Sequence, residues 1–276
     1  GLFCHYILKI DFMESMLIGA IISSTDAASV FSIFRSKKIN LKYNTASLLE
    51  VESGSNDPFA FLLTVIFLSL MSGGMNGFDI AILALKQLMF GLFGGFVIGF
   101  TAVWVLKKFD FIGDGFDTIF VFAVALAAYG TVNLTGGNGY LSVYIAGIIL
   151  GNSNIDNKKS LVSFFDGLTG LVQITIFFLL GLLCFPSQFS NVAFEGLCIA
   201  LFLTFIGRPL VSFLILKPLG ANIGQIMMVA FCGLRGAASI VFSIMAIVSP
   251  AYTSYDVFHS TFFIVLFSIA LQGSLL

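Results

Sequence analysis

The chain has 276 residues, of which 58% are hydrophobic and only 10% are charged, and its formal net charge is −1. Soluble domains average about 25% charged residues, so this composition excludes a globular soluble protein and indicates a polytopic membrane protein. The near-zero net charge gives no indication of a nucleic-acid partner. The four cysteines show no spacing typical of a disulfide framework or a metal site. We expect no cofactor.

Apolar segments that are long enough to form membrane helices recur along the chain. A helix needs about 20 apolar residues to cross the hydrocarbon core. After an N-terminal stub that ends near Lys9, the pattern predicts spans near 13–35, 45–71, 80–106, 115–135, 138–151, 160–185, 191–217, 223–248 and 255–276. The chain begins without an initiator methionine and stops in or just after an apolar run. We therefore expect residues 1–276 to be part of a longer membrane protein.

The positive charges predict an orientation for these spans. If the spans cross in alternation, nine cations fall on one side and only Lys9 and Lys86 on the other. The nine are Arg35, Lys37, Lys38, Lys42, Lys107, Lys108, Lys158, Lys159 and Lys217. By the positive-inside rule they mark the cytoplasmic face of the cell (inner) membrane.

The first predicted span is interrupted by polar residues at 23–26 and at Ser29. Asp26 lies near its middle, where an ionised carboxylate is costly. One interpretation is a cation ligand and proton acceptor, with the hydroxyl and carbonyl of Thr25 as further oxygen ligands. The alternative is a structural aspartate that caps a broken half-helix. We favour the ligand, because Ser or Asn would cap a helix without the charge.

The second span carries four polar side chains at about 0°, 100°, 40° and 140° around a helix, and they therefore share one face. They are Glu52, Ser53, Asn56 and Asp57. Pro58 removes the helical hydrogen bond to the carbonyl of Gly54, and a freed carbonyl beside a carboxylate suits a hard cation. The face predicts an ion site inside the membrane.

Two arginines lie inside predicted spans and need partners there. Because an unpaired buried charge is strongly destabilising, we expect Arg208 to pair with Glu52. Arg235 either takes Glu52 instead or balances the dipole ends of a broken helix. The eighth span is itself interrupted around Arg235, at residues 233–239, which read GLRGAAS. Paired broken helices at the membrane midplane are typical of secondary transporters built from inverted repeats.

Two carboxylates, Asp26 and Asp57, are thus candidates for one poorly hydrated site. Their mutual repulsion would be relieved by a bound proton or by a bound cation, so the two compete. That competition is the chemistry of exchange. An ion-coupled organic-anion symporter and a cation channel stay open as alternatives on a similar scaffold. An intramembrane enzyme is disfavoured, because the embedded histidines and paired aspartate motifs of such proteases are missing.

Several short motifs occur along the chain in the order in which a known protein family has them. Residues 24–28 read STDAA and 52–58 read ESGSNDP, followed by GYL at 139–141, RPL at 208–210 and GLRGA at 233–237. With this ordered set the chain resembles the monovalent cation:proton antiporter superfamily. Within it, the chain is most similar to the Asn-Asp, sodium/proton exchanger-like branch. It is closest there to bacterial potassium/proton antiporters linked to cell-volume regulation.

The resemblance implies an all-α polytopic membrane protein with the cation/proton antiporter fold, inverted repeats and two crossed discontinuous helices. Residues 1–276 would be a partial transmembrane antiporter domain of about nine spans plus the stub. N-terminal helices, and with them much of the dimer interface, would be missing, as would a C-terminal cytoplasmic region. The full-length protein would be a homodimer in the lipid bilayer.

The resemblance also implies roles for individual residues. K⁺ or Na⁺ and H⁺ would bind at Asp26 and Asp57, with Thr25 and Ser53 as further ligands and Asn56 in support. The second group of residues is structural: Glu52 would pair with Arg208, and Arg235 would lie in the second broken helix. Asn before Asp implies electroneutral exchange. Apart from the transported cation, no metal is implied.

Overall fold

The computed structural model describes residues 1–39, 41–73, 75–109, 115–155, 158–251 and 253–275, and these ranges are helical without a strand. Their α-helices are α1 (Leu2–Tyr6), α2 (Phe12–Ile21), α3 (Ala27–Ser36), α4 (Thr45–Met71), α5 (Gly77–Lys108), α6 (Phe116–Leu134), α7 (Gly139–Asn152), α8 (Lys158–Leu183), α9 (Phe189–Phe202), α10 (Arg208–Leu216), α11 (Ile223–Phe231), α12 (Ala237–Val248) and α13 (Val257–Leu275). A 3₁₀ turn at Pro186–Gln188 precedes α9, and a π-helical turn at Leu203–Gly207 joins α9 to α10.

Six helical stretches of the described chain are long and apolar enough to cross a membrane: α4, α5, α6, α8, α13 and the continuous stretch Pro186–Leu216. The predicted all-α polytopic architecture is confirmed. Helix α5 begins three residues before its predicted span. Its start is set by a capping box, in which Asn76 accepts from the backbone of Asp79 and Asp79 accepts from that of Asn76. Hydropathy alone does not register such a polar cap.

Two of the predicted spans are discontinuous in the structure. The first divides into α2 and α3, separated by residues 22–26, and the eighth divides into α11 and α12, separated by residues 232–236. Asp26 accepts from the backbone N–H of Ser29 and thereby caps α3. Helix α4, by contrast, runs unbroken through Pro58.

The chain forms two compact units. The first comprises Gly1–Gly74 and Ile176–Leu276, and the second comprises Met75–Thr175. In the first unit α2 packs on α4, α10 on α11, and α13 on both α9 and α12. The interior of this unit includes Leu234, which lies in the break between α11 and α12 and is fully buried.

A stripe of glycines brings α5 and α7 into close contact in the second unit. A Cβ atom at Gly95 would lie 2.8 Å from the carbonyl oxygen of Ser142, and one at Gly99 would lie 3.0 Å from the Cα of Ala146. Gly91 meets α7 in the same way, 3.0 Å from the carbonyl oxygen of Asn138. Small residues four apart allow backbones to approach in this manner within membranes.

A buried carboxylate joins α2 to the connection between α12 and α13. Glu14 is 5% exposed, and its Oε1 accepts from the backbone N–H groups of Ser254 and Tyr255. The hydroxyl of Ser254 also donates to Oε1 at 3.0 Å and lies 3.1 Å from Oε2. These donors compensate the burial of the charge. Glu14 is not among the residues for which the sequence predicted a role.

We predict that Glu14→Gln destabilises the protein. The substitution keeps the size of the side chain but replaces an ionised acceptor by a neutral amide, whose NH₂ group faces N–H donors. The free energy of unfolding should fall by about 1.5–3 kcal/mol. This free energy is measured by unfolding the protein with SDS and monitoring the transition by circular dichroism. Glu50→Gln, at an exposed position of α4, is the matched control and should change little. Equal unfolding midpoints for the two variants would contradict the assigned role of Glu14.

Candidate functional site

The polar face of α4 closes the break in the first span. Ser53 Oγ donates to the carbonyl of Thr25 at 2.7 Å and accepts from the backbone N–H of Ala27 at 3.1 Å. Both backbone groups lack a helical partner because the chain is broken between α2 and α3. One hydroxyl of α4 therefore replaces the missing turn of helix.

Asn56 links the same break to the next polar side chain of α4. Its Nδ2 donates to Thr25 Oγ1 at 3.0 Å and to Glu52 Oε1 at 3.4 Å. Thr25 is only 5% exposed, so a donor to its hydroxyl has few alternatives. The neutral amide holds the break and carries no charge into it.

The two aspartates meet at this break, and a hydroxyl donates to each of them. Ser24 Oγ donates to Asp57 Oδ1 at 2.5 Å, and Ser29 Oγ donates to Asp26 Oδ2 at 2.5 Å. Both aspartates are partly exposed, and Ser24, the donor to Asp57, lies only two residues before Asp26 in the same break. The sequence left a ligand and a helix cap as alternatives for Asp26. The structure shows the cap, and it places Asp26 at the same break as Asp57.

The second broken helix crosses the first at Asp26. The backbone N–H of Asp26 donates to the carbonyl of Leu234 at 2.9 Å. A Cβ atom at Gly236 would lie 2.7 Å from Asp26 Oδ2, so only glycine allows this approach. The glycine-rich interruption of the eighth span is therefore what lets the two breaks touch.

Arg235 neutralises the end of the first half-helix. Its Nη1 donates to the carbonyls of Ser23 and Ser24 at 3.1 and 3.0 Å, and the residue is 5% exposed. These carbonyls follow the C-terminal end of α2, where the helix dipole is negative. Of the two roles that the sequence left open for Arg235, its side-chain contacts are those of balancing a dipole end.

Glu52 and Arg208 are in contact beside the break. Arg208 donates from Nη1 to Oε1 and from Nη2 to Oε2, the latter at 3.3 Å. Its Nη2 also donates to the carbonyl of Val229 in α11 at 3.2 Å. The side chains are 14% and 23% exposed, for Arg208 and Glu52 respectively. Arg208 follows the π-helical turn and precedes Pro209, which lacks an N–H donor and favours a widened turn at this point.

The structure thus brings together all eight residues that the sequence singled out, and they lie within the first unit. It adds three whose roles were not predicted from the sequence: Ser24 as a donor to Asp57, and Ser268 with Gln272 in α13. A signal for the last pair was present, because an amide and a hydroxyl four residues apart are unusual in an apolar span. The oxygen atoms at the crossing are of the kind that hard monovalent cations prefer.

Two discontinuous helices that cross beside paired carboxylates define a membrane transporter with the cation/proton antiporter fold. Residues 1–276 match the family described as "Sodium/hydrogen exchanger, transmembrane", and the chain belongs to this family. The family relationship predicted from the motifs is thereby confirmed. It is a family of transporters, and the chain is an integral membrane protein.

Named relatives agree with this assignment. The K(+)/H(+) antiporter NhaP of Alkalimonas amylolytica is 35% identical over 274 residues, which are 99% of this chain and 48% of that protein. The Na(+)/H(+) antiporter NhaH of Halobacillus dabanensis is 24% identical over 291 residues, 99% of this chain and 69% of that protein. The chain therefore spans about half the length of the curated potassium/proton antiporters that it matches.

A solved structure shares the fold. The sodium proton antiporter MjNhaP1 of Methanocaldococcus jannaschii, solved at pH 8, matches with a TM-score of 0.78 and 26% sequence identity. The match covers 94% of this chain and 68% of that one. This similarity confirms the fold class predicted from the sequence.

We predict that the Glu52–Arg208 pair behaves as one unit in a double-mutant cycle. Glu52→Gln or Arg208→Gln alone leaves a charge without its partner and should lower the free energy of unfolding by up to about 3 kcal/mol. The double variant should lose less than the sum, because no isolated charge remains. SDS unfolding measures all three. Asp256→Asn, which alters the contact of the exposed Asp256 with His259, is the control and should cost under about 1 kcal/mol. Additive losses at Glu52 and Arg208 would exclude the coupling.

Proposed function

We propose that the complete protein exchanges a monovalent cation, K⁺ or Na⁺, for a proton by alternating access. The observation that carries the proposal is the meeting of Asp26 and Asp57 where the two broken helices cross. Two carboxylates in a partly buried site repel each other, and either a proton or a cation relieves the repulsion. Because one ligand displaces the other, uptake of a cation on one side is linked to release of a proton there.

Each polar residue at the crossing has a part in this exchange. Asp57 and Asp26 take the proton or the cation, and Thr25 and Ser53 supply further oxygen atoms. Asn56 fixes the hydroxyl of Thr25 and adds no charge. The ion pair of Glu52 with Arg208 and the donation of Arg235 to the carbonyls of the break are structural in this proposal, and Asp26 and Asp57 are the carboxylates assigned to the exchange.

Three further features belong to the same proposal. We assign the protein to the cell (inner) membrane with its basic loops in the cytoplasm, and we assign residues 1–276 to part of the transmembrane domain of a homodimer. For the cation we favour K⁺, because the relative at 35% identity is named a K(+)/H(+) antiporter. A match to a structure named for sodium keeps Na⁺ in the proposal.

We predict that Asp57→Asn abolishes exchange. Everted membrane vesicles from an antiporter-deficient host, carrying the complete gene product, are energised to form a pH gradient. Addition of KCl, NaCl or LiCl should then collapse the gradient in wild type, and the order of the salts gives the selectivity. The variant should show no salt-dependent collapse, because the neutral amide neither takes up a proton nor balances the charge of a cation.

Asp11→Asn is the matched control for that experiment. Asp11 is an exposed carboxylate that caps α2 through the N–H of Met13, and asparagine caps a helix about equally well. The control should retain full exchange. If folded and inserted wild-type protein shows no salt-dependent collapse, the antiport proposal fails and a channel or a symporter takes its place.

We predict that the exchange is electroneutral. Asn56 adds no titratable group beside Asp57, and each cation should replace one proton. Currents on solid-supported membranes and pH changes in the same proteoliposomes test this together. A cation jump should produce a pH change without a sustained transport current. A sustained current at the same protein density would show that the exchange moves net charge.

A further inference from the structure

Two polar side chains of α13 are buried inside the first unit. Ser268 is 4% exposed and Gln272 is 2% exposed, and their spacing of four residues places them on one face of the helix. Ser268 Oγ donates to Gln272 Oε1 at 2.5 Å. A buried amide and hydroxyl in an apolar helix need partners, and these two residues have further ones outside α13.

Those partners are backbone groups at the break between α11 and α12. Ser268 Oγ accepts from the N–H of Arg235 at 3.2 Å, and Gln272 Nε2 donates to the carbonyl of Phe231 at 3.4 Å. Phe231 is the last residue of α11, and Arg235 lies in the break itself. Leaving such a buried group without a partner is costly, so the pair fixes the path of the broken backbone.

The first break is held in the same manner. Ser53 of α4 accepts from the N–H of Ala27 there, as Ser268 of α13 accepts from that of Arg235. In each case the serine comes from the helix that follows the broken one along the chain. The two breaks are therefore held by corresponding side chains, although only Ser53 lies at the carboxylates.

A chain of contacts leads from α13 to the candidate site. The backbone of Arg235 is held by Ser268, and its guanidinium donates to the carbonyl of Ser24. The hydroxyl of Ser24 in turn donates to Asp57. A shift of the Arg235 backbone would move its guanidinium and with it the donor to Asp57.

We propose that Ser268 and Gln272 are positioning residues for the cation and proton site, acting through Arg235 and Ser24. This inference rests on the function proposed above. Neither residue touches Asp57, so their removal should weaken cation binding without abolishing exchange.

The test compares Gln272→Leu and Ser268→Ala with a matched control in the complete gene product. The control is Thr261→Val, a near-isosteric change in α13: Thr261 is fully buried, and its hydroxyl has no hydrogen-bond partner among the described residues. Everted vesicles give the half-saturating cation concentration and the maximal rate at several pH values. Stabilisation of the purified protein against heat by added KCl or NaCl gives binding independently of transport.

We expect the half-saturating concentration and the dissociation constant of the cation to rise roughly five- to tenfold in Gln272→Leu and Ser268→Ala. The maximal rate per folded protein should stay within about twofold of wild type, and the pH dependence should shift. The double variant should bind the cation no more weakly than the more impaired of the two single variants, because both changes break the same chain of contacts. Thr261→Val should resemble wild type in both measurements.

Two results would overturn the proposal. In one, both variants match Thr261→Val in cation affinity; in the other, activity falls only in proportion to folded protein while affinity is unchanged. The function itself is judged separately. If wild type binds the cation but exchanges no protons, the antiport proposal is wrong. The dissociation constants of the variants then still test whether Ser268 and Gln272 position the site. Wild type that neither binds nor exchanges defeats both.

Discussion

A broken helix within a membrane must find partners for its freed backbone groups, because lipid supplies none. The rest of the first unit is organised around this constraint. The two breaks partly satisfy each other, through the N–H of Asp26 with the carbonyl of Leu234 and through Arg235 with the carbonyl of Ser24. The unbroken helices α4 and α13 supply further partners, Ser53 at the first break and Ser268 at the second. The crossing is therefore held by hydrogen bonds with defined directions, and apolar packing alone would not fix it.

The distribution of charge follows from the same constraint, because a charge inside a membrane also needs a partner. Glu52 is matched by Arg208, and Arg235 is matched by carbonyls at a helix end. Asp26 and Asp57 lie at the crossing as two carboxylates of like charge, each with a hydroxyl donor. Hydroxyl donors stabilise each carboxylate but cannot cancel the repulsion between them. Under the function proposed above, a bound proton or a bound monovalent cation relieves this repulsion.

The sequence predicted best those features that depend on residues close together in the chain. Span positions follow from apolar length, since the bilayer fixes how long a helix must be. The first break followed from polar residues around Asp26, and the second from glycines around Arg235. Partners distant in the chain were harder to foresee. Glu14 meets Ser254 across 240 positions, and Gln272 meets Phe231 across 41, so no local pattern relates them. Arg208 was easier, because few charges in the spans compete for Glu52.

The cap that Asp26 makes on α3 has a mechanical consequence. An ionised carboxylate both accepts strongly from the N–H of Ser29 and complements the positive end of the helix dipole. If the Asp26 carboxylate took up a proton, it would lose its favourable interaction with the helix dipole, and its hydrogen bond from Ser29 would weaken. A bound metal cation would leave the carboxylate ionised. The first turn of α3 would then fray more readily in the protonated form. The backbone order of α3 would therefore differ between the proton-bound and the cation-bound forms of the proposed site.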